Sequence, residues 1–281
     1  MNTIKPEVLA RHEARLFPAA HISSDREAEL RACAALMAML GAVKEFGRFV
    51  VKAAGGPAGR IRCYTEVPFD TPDGTTKHSL RPDGLISVER GRKTWTAFVE
   101  VKVGPNPLEQ EQFDNYHKLA RETGCDALIT ISSQAADTNG LPPLAIDGRR
   151  LRGVPAIHLS WDRLLSEAQL LSRKKAVKDP DQHWMLDEWV SYVASDNSKI
   201  IEPPHFGSQW HTAVKAAQEG NLRGAMPDVA AVVGHWTAFV RKTALRLRAR
   251  LGVEVEQALS RNDRNDPDSL AQRLRERALA T

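Results

Sequence analysis

Apolar positions fall in two rhythms along this chain, one of period near 3.6 and one of period 2, and the rhythms alternate. Ser24-Asp25-Arg26-Glu27 has the spacing of a capping box, and the Ala-, Leu- and Met-rich stretch behind it predicts one long helix from Glu27 to about Phe49. Gly55-Gly56-Pro57-Ala58-Gly59 reads as the turn after that helix. Residues 60–69 then predict a strand that ends at Pro68. Residues 84–89 and 94–103 are rich in β-branched and aromatic types, with Arg90-Gly91-Arg92-Lys93 between them, which is the pattern of a β-hairpin. Asn106 as N-cap, Pro107 at the first helical position and Glu109 placed for a capping box predict a helix to about Glu122, ended by Gly124. A short buried strand at Ala127–Ile131, another at Val154–Leu159 and a helix at Leu164–Ser172 complete this part.

Past Lys174 the period-2 rhythm disappears. Arg173-Lys174-Lys175 and Lys178-Asp179-Pro180-Asp181 read as a polar linker, followed by helical patterns at His183–Ala194, Ser208–Ala217, Pro227 to about Leu251, and Asp266–Ala280. The expected organisation is an N-terminal extension over 1–22, an α/β core over 23–175 and an all-helical region over 176–281. The tryptophans from Trp161 onward read as packing anchors. The longest of these helices carries Arg241, Lys242, Arg246, Arg248 and Arg250, either as a solvated face or as a strip lying along a nucleic-acid backbone.

The hairpin concentrates chemistry. If Glu89 pairs with Thr94, Asp83 lies opposite Glu100, and directly opposed residues have Cβ atoms about 4.5–5.5 Å apart. Glu100 and Lys102 leave one face of their strand, and Val99, Val101 and Val103 leave the other, toward a core. Two carboxylates this close raise each other's pKa unless a cation neutralises them. Hard oxygen ligands without clustered Cys or His favour Mg²⁺, with Mn²⁺ as a substitute. A water on such an ion can become a nucleophile, and Lys102 stands where it can orient or deprotonate that water or stabilise charge on a phosphate. The competing structural reading is a turn-capping Asp83 and a solvated Glu100–Lys102 pair.

Pro82-Asp83 followed by Glu100-Val101-Lys102 resembles the signature of the PD-(D/E)xK nuclease superfamily. Gln112-Phe113-Asp114-Asn115-Tyr116 is similar to the Gln-x-x-x-Tyr helix motif of its RecB and lambda-exonuclease branch. The resemblance spans about Ser23 to Lys174. It implies a restriction-endonuclease-like αβββαβ core with a mixed central sheet. It also implies a metal site of Asp83, Glu100 and the Val101 carbonyl, with Lys102 beside the attacking water and Gln112 and Tyr116 bracing the site or contacting phosphate. A first-helix Glu would help to hold the metal, and Glu29 is assigned that role with Glu27 as the alternate. The implied activity is Mg²⁺-dependent hydrolysis of phosphodiester bonds in nucleic acid, with DNA the expected substrate. The alternatives are a catalytically silent nuclease-like module that binds nucleic acid or protein, and a nuclease active only within a larger defence or repair assembly.

Composition narrows the class further. With 42% hydrophobic residues in 281, the chain can bury a substantial core. Three scattered cysteines without metal spacing suggest reduced buried thiols and a cytoplasmic protein, while the oligomeric state, a homo-oligomer included, stays open. Nowhere is there the apolar run a membrane span needs. A net charge of +4 is compatible with phosphate binding. Nine histidines show no ligand spacing and read as structural or solvent-facing.

Overall fold

The computed structural model describes residues 15–17, 22–68, 81–136, 140–146, 149, 151–201, 208–221, 227–260, 272, 273 and 276. The chain is an α/β protein. Helices α1 (Asp25–Ala42) and α2 (Lys44–Ala53) precede strands β1 (Arg60–Thr65), β2 (Gly84–Arg90) and β3 (Lys93–Val101); α3 (Gln110–Glu122), β4 (Ala127–Ser132) and β5 (Ala156–Ser160) follow. The C-terminal helices are α4 (Trp161–Arg173), α5 (Pro180–Ala194), α6 (Gln209–Gln218) and α7 (Pro227–Leu251). The five strands form one mixed sheet in sequence order, with β2 antiparallel to both β1 and β3, and with β3, β4 and β5 parallel. Among the described residues, no helix is long and apolar enough to cross a membrane.

Alternation along the strands divides the interior between two faces. Ile86, Val88, Ala97, Val99, Val101, Ile129 and Ile131 join α1, α2, α4 and α5 in one core. Phe98 and Leu128 face the other way, onto Phe113, Tyr116, Leu119 and Ala120 of α3. Because β3 is covered on both faces, Glu100, on the Phe98 side, is 2% exposed and lies inside the molecule. Leu186, Trp189 and Val193 of α5 belong to the same core as α1, and α7 packs on α4 and α6.

Several boundaries differ from the sequence expectation. The single long first helix is two helices: Val43 is extended (φ −99°, ψ 99°), and its N–H bonds to the Met39 carbonyl. Gly47 makes the sharp corner possible, because a Cβ there would stand 2.2 Å from the Leu40 carbonyl oxygen. The helix expected from Pro107 begins at Gln110 with Glu109 as N-cap; the Asn106 side chain donates to Glu29 instead of capping. The expected polar linker at Lys178–Asp181 is a helix start: Asp179 accepts from the N–H groups of Asp181 and Gln182, and Pro180 occupies the first turn of α5. Of the tryptophans, Trp161 and Trp189 are fully buried anchors, whereas Trp184 is 53% exposed and Trp236 45%. Most of the helix expected over residues 266–280 lies outside the described residues.

The basic run of α7 is turned largely inward. Arg248 is buried, forks onto Glu254 at 2.8 Å through two nitrogens, and reaches Glu167 of α4 at 2.8 Å. Lys242 stands 3.6 Å from Asp162, and Arg241 donates to the Ala136 carbonyl. These contacts fix α7 on α4, so the run is neither wholly a solvated face nor wholly a strip open to a ligand.

The corner at Gly47 yields a paired prediction. Gly47→Ala forces backbone apart and should destabilise by about 1–3 kcal/mol. Gly41→Ala, in α1 with nothing within 4 Å of the new Cβ, should be neutral or stabilising by up to about 1 kcal/mol. Urea unfolding of both variants checks this, and equal effects would refute it.

Candidate functional site

The hairpin register is the one that places the acids together. Glu89 pairs with Thr94 and Gly84 with Val99, so Asp83 enters the sheet opposite Glu100. The ladder runs one pair further toward the turn than expected, to Arg90 and Lys93, and Gly91 takes φ 61° in the tight turn.

Asp83 is held at several points. Its Oδ2 accepts from the Val101 N–H at 2.8 Å. Its carbonyl accepts from the Glu66 N–H at 3.1 Å and from the Cys33 thiol at 3.3 Å. The Tyr116 hydroxyl donates to the Arg81 carbonyl at 3.0 Å, fixing the segment that leads into Asp83. Tyr116 therefore braces the site, and burial with the Glu100 charge pushes its pKa up to about 12, so it stays a phenol. Gln112, one helical turn earlier, lines with Lys102, Glu109, Asn115 and Tyr116 a cleft of about 380 Å³ beside the acids.

Glu100 is the most perturbed group here. Burial, then the Asp83 carboxylate, push its pKa up to about 9 against the partial offset of Lys102. Neither carboxylate oxygen has a hydrogen-bond partner, although the Lys102 Nζ stands 3.2 Å from Oε1. Burial likewise raises Asp83, against the Val101 N–H and Lys102. Lys102 lies between Glu100 and Glu29, whose Oε2 is 3.6 Å from Nζ. Burial favours the neutral amine, but the two carboxylates outweigh it and hold its pKa above the ordinary value. The Lys102 N–H continues the sheet by bonding to the Ile131 carbonyl.

The two first-helix acids separate cleanly. Glu27 is engaged at the helix start, accepting from the Ser23 N–H and hydroxyl and pairing with Arg31. Glu29 enters the cluster, touching Lys102 and Asn106.

A divalent cation finds a partial fit. Buried carboxylate oxygens without donors, next to a second carboxylate, suit a hard cation with oxygen ligands, and the nearby Cys33 thiol is engaged with the Asp83 carbonyl. Yet among the described residues no group of three or more His, Cys, Asp and Glu is arranged to hold a metal. Glu29 reaches the cluster through Lys102, which leaves Asp83 and Glu100 as the donor pair.

The sequence did not signal the polar network behind this cluster. The Gln134 carbonyl, which can only accept, fixes the proton of His158 on Nε2 at 3.0 Å, and Nδ1 then accepts from the Thr130 hydroxyl at 2.9 Å. The Gln134 side chain accepts from the Leu108 N–H, tying the approach to α3 onto the sheet. A lone histidine in a predicted strand carries no spacing that would reveal this. Trp161 is a second such case: its Nε1 donates to the Lys102 carbonyl at 2.8 Å.

No protein-family model matches this chain, and no curated protein sequence matches it significantly.

Two pH predictions follow with opposite signs. In the cation-free chain Glu100 holds its proton up to a pKa of about 9 when folded and releases it above 4.5 when unfolded. The folded state thus binds the extra proton, and stability falls as pH rises between those values. Glu100→Gln should flatten this slope in urea unfolding in EDTA at about pH 5, 7 and 9; parallel curves for the two proteins would count against it. Burial lowers His158 from 6.5 to about 4, so there the unfolded chain binds the extra proton. Stability should fall on acidification across that window by on the order of 3 kcal/mol. His158→Gln should lack this loss, measured the same way.

Proposed function

We propose that the chain is a divalent-metal-dependent nuclease of the PD-(D/E)xK kind, built on a restriction-endonuclease-like core and cutting nucleic acid, with DNA the expected substrate. The observation that supports this most is the convergence of Asp83 and Glu100 across one hairpin, buried, with Lys102 against Glu100. Asp83, Glu100 and the Val101 carbonyl would hold the Mg²⁺ or Mn²⁺, with Glu29 acting from beside Lys102. When bound, the ion supplies an activated water and neutralises charge on the phosphodiester.

The remaining roles belong to the chain's own groups. Lys102 stays protonated between two carboxylates, so it acts as a cation that positions the water and stabilises the phosphate, rather than as the base. Gln112 faces the cleft and can donate an amide N–H to a phosphate oxygen. Tyr116 holds Arg81-Pro82-Asp83 in place. Asp83, anchored through Oδ2, keeps its carboxylate from turning away.

One observation favours a second reading, a catalytically silent nuclease-like module: the described residues lack a three-donor metal cluster. Labelled duplex and single strand, incubated with Mg²⁺ or Mn²⁺ and with EDTA, separate the two. Cleavage that EDTA abolishes is expected, together with a loss of about 10²–10⁴-fold in Lys102→Ala with the fold intact. Asp83→Ala should also weaken Mn²⁺ binding in calorimetry. Full cleavage by both variants excludes this site. No cleavage by the chain alone, recovered in cell extract, points instead to activity within a larger assembly.

A further inference from the structure

A second concavity lies away from the acids, between α4, α5 and α7. It measures about 420 Å³ and is lined by Asp162, Ser166, Gln169, Arg173, Arg246 and Arg250, among others. That volume suits a ligand the size of one nucleotide. Arg246 and Arg250 stand one turn apart on α7, and Arg173 comes from the end of α4, where it donates to the Arg250 carbonyl at 2.6 Å. All three are exposed, unlike Arg248 beside them, which is buried in its ion pairs. Asp162 lines the same cleft and is 4% exposed; the Lys242 ammonium stands 3.6 Å from its Oδ2 and the Arg246 Nε 3.9 Å from its Oδ1, so it orients the cations from behind. The cleft thus offers guanidinium groups for a phosphate.

This cleft is joined to the hydrolytic cluster by one short connection. Asp162 follows Trp161, whose Nε1 bonds to the carbonyl of Lys102. A ligand seated there is held on a helix fixed to the strand that carries Glu100 and Lys102.

We infer that the α4–α5–α7 cleft is a non-catalytic subsite for single-stranded nucleic acid, seating one unpaired nucleotide with its phosphate on Arg173, Arg246 and Arg250. The inference rests on the nuclease reading for the nature of the ligand. An unpaired residue is required because a base stacked within a duplex cannot enter a concavity of this size.

Fluorescence anisotropy of labelled single-stranded and blunt duplex oligonucleotides, on the full chain in EDTA across a KCl series, tests it. The single strand should bind tighter than the duplex. In Arg246→Gln/Arg250→Gln its log affinity against log salt should become shallower by about 1.4, from roughly 0.7 per phosphate neutralised on a single strand. Lys52→Gln/Lys215→Gln removes two charges elsewhere and should leave the slope in place. An unchanged slope in the arginine variant, an equal change in the lysine variant, or preference for the duplex overturns the subsite. If the arginine variant does not fold, a single strand bearing 4-thiothymidine, photocrosslinked to the unmodified chain, should label peptides of α4 and α7; labelling elsewhere overturns it. Hydrolysis is measured separately with Mg²⁺. Binding at the cleft without cleavage, either by the chain alone or in cell extract, sinks the hydrolase and spares the cleft; cleavage with an unchanged slope does the reverse.

Discussion

The pairing of β2 with β3 is the constraint on which this structure turns. A strand slipped by one residue would send Glu100 and Lys102 to the face now filled by valines and place Phe98 in the apolar core on the other side. Both faces of β3 are covered, so such a slip would bury charge on one side and strand apolar surface on the other. The register is therefore fixed by packing along the whole strand, and the placement of Asp83 opposite Glu100 follows from it. The hydrogen bond from the Val101 N–H to Asp83 Oδ2 extends that order one residue past the ladder.

Burial gives this arrangement its electrostatic character. An exposed Asp and Glu at this spacing would be screened and weakly coupled. Here Glu100 is nearly inaccessible, so its desolvation dominates, and the neighbouring carboxylate adds to it. Burial works against charge on Lys102, and the two acids that flank it outweigh that penalty. The cluster carries unfavourable energy in the folded chain, offset by the supports around Asp83: the N–H groups of Val101 and Glu66, the Cys33 thiol, and the Tyr116 hydroxyl on the Arg81 carbonyl. Strain of this kind persists where the surrounding structure over-determines it.

The α/β class, the hairpin and the position of nearly every element were legible because alternation of period 2 and helical spacing are local. Gln112 and Tyr116 were legible as a pair on one helix face, since i and i+4 are neighbours whatever the tertiary context. What local patterns cannot carry is partner choice. Asn106 has the composition of an N-cap, but its amide is drawn to Glu29, seventy-seven residues away, and the helix start moves to Gln110. The corner at Val43 depends on a glycine meeting a carbonyl, a contact with no compositional mark. The cations of α7 looked alike in sequence, and only their contacts separate Arg248, enclosed by Glu167 and Glu254, from the exposed Arg246 and Arg250.

The position of Glu29 bears on how the proposed reaction is regulated by its own substrate. Its carboxylate faces Lys102 and the Asn106 amide, so it contributes negative charge to the cluster while its oxygens are engaged. Asp83 and Glu100 are then the carboxylate pair left to face a cation, and a hard ion held by two carboxylates keeps several water ligands. Those positions are where phosphate oxygens would bind. On the proposed reading, the site's affinity for the ion and for the nucleic acid are therefore linked, each raising the other by the same factor. On that reading, a third acid in place of the Glu29–Lys102 contact would hold the ion more tightly but remove the ammonium placed for the phosphate.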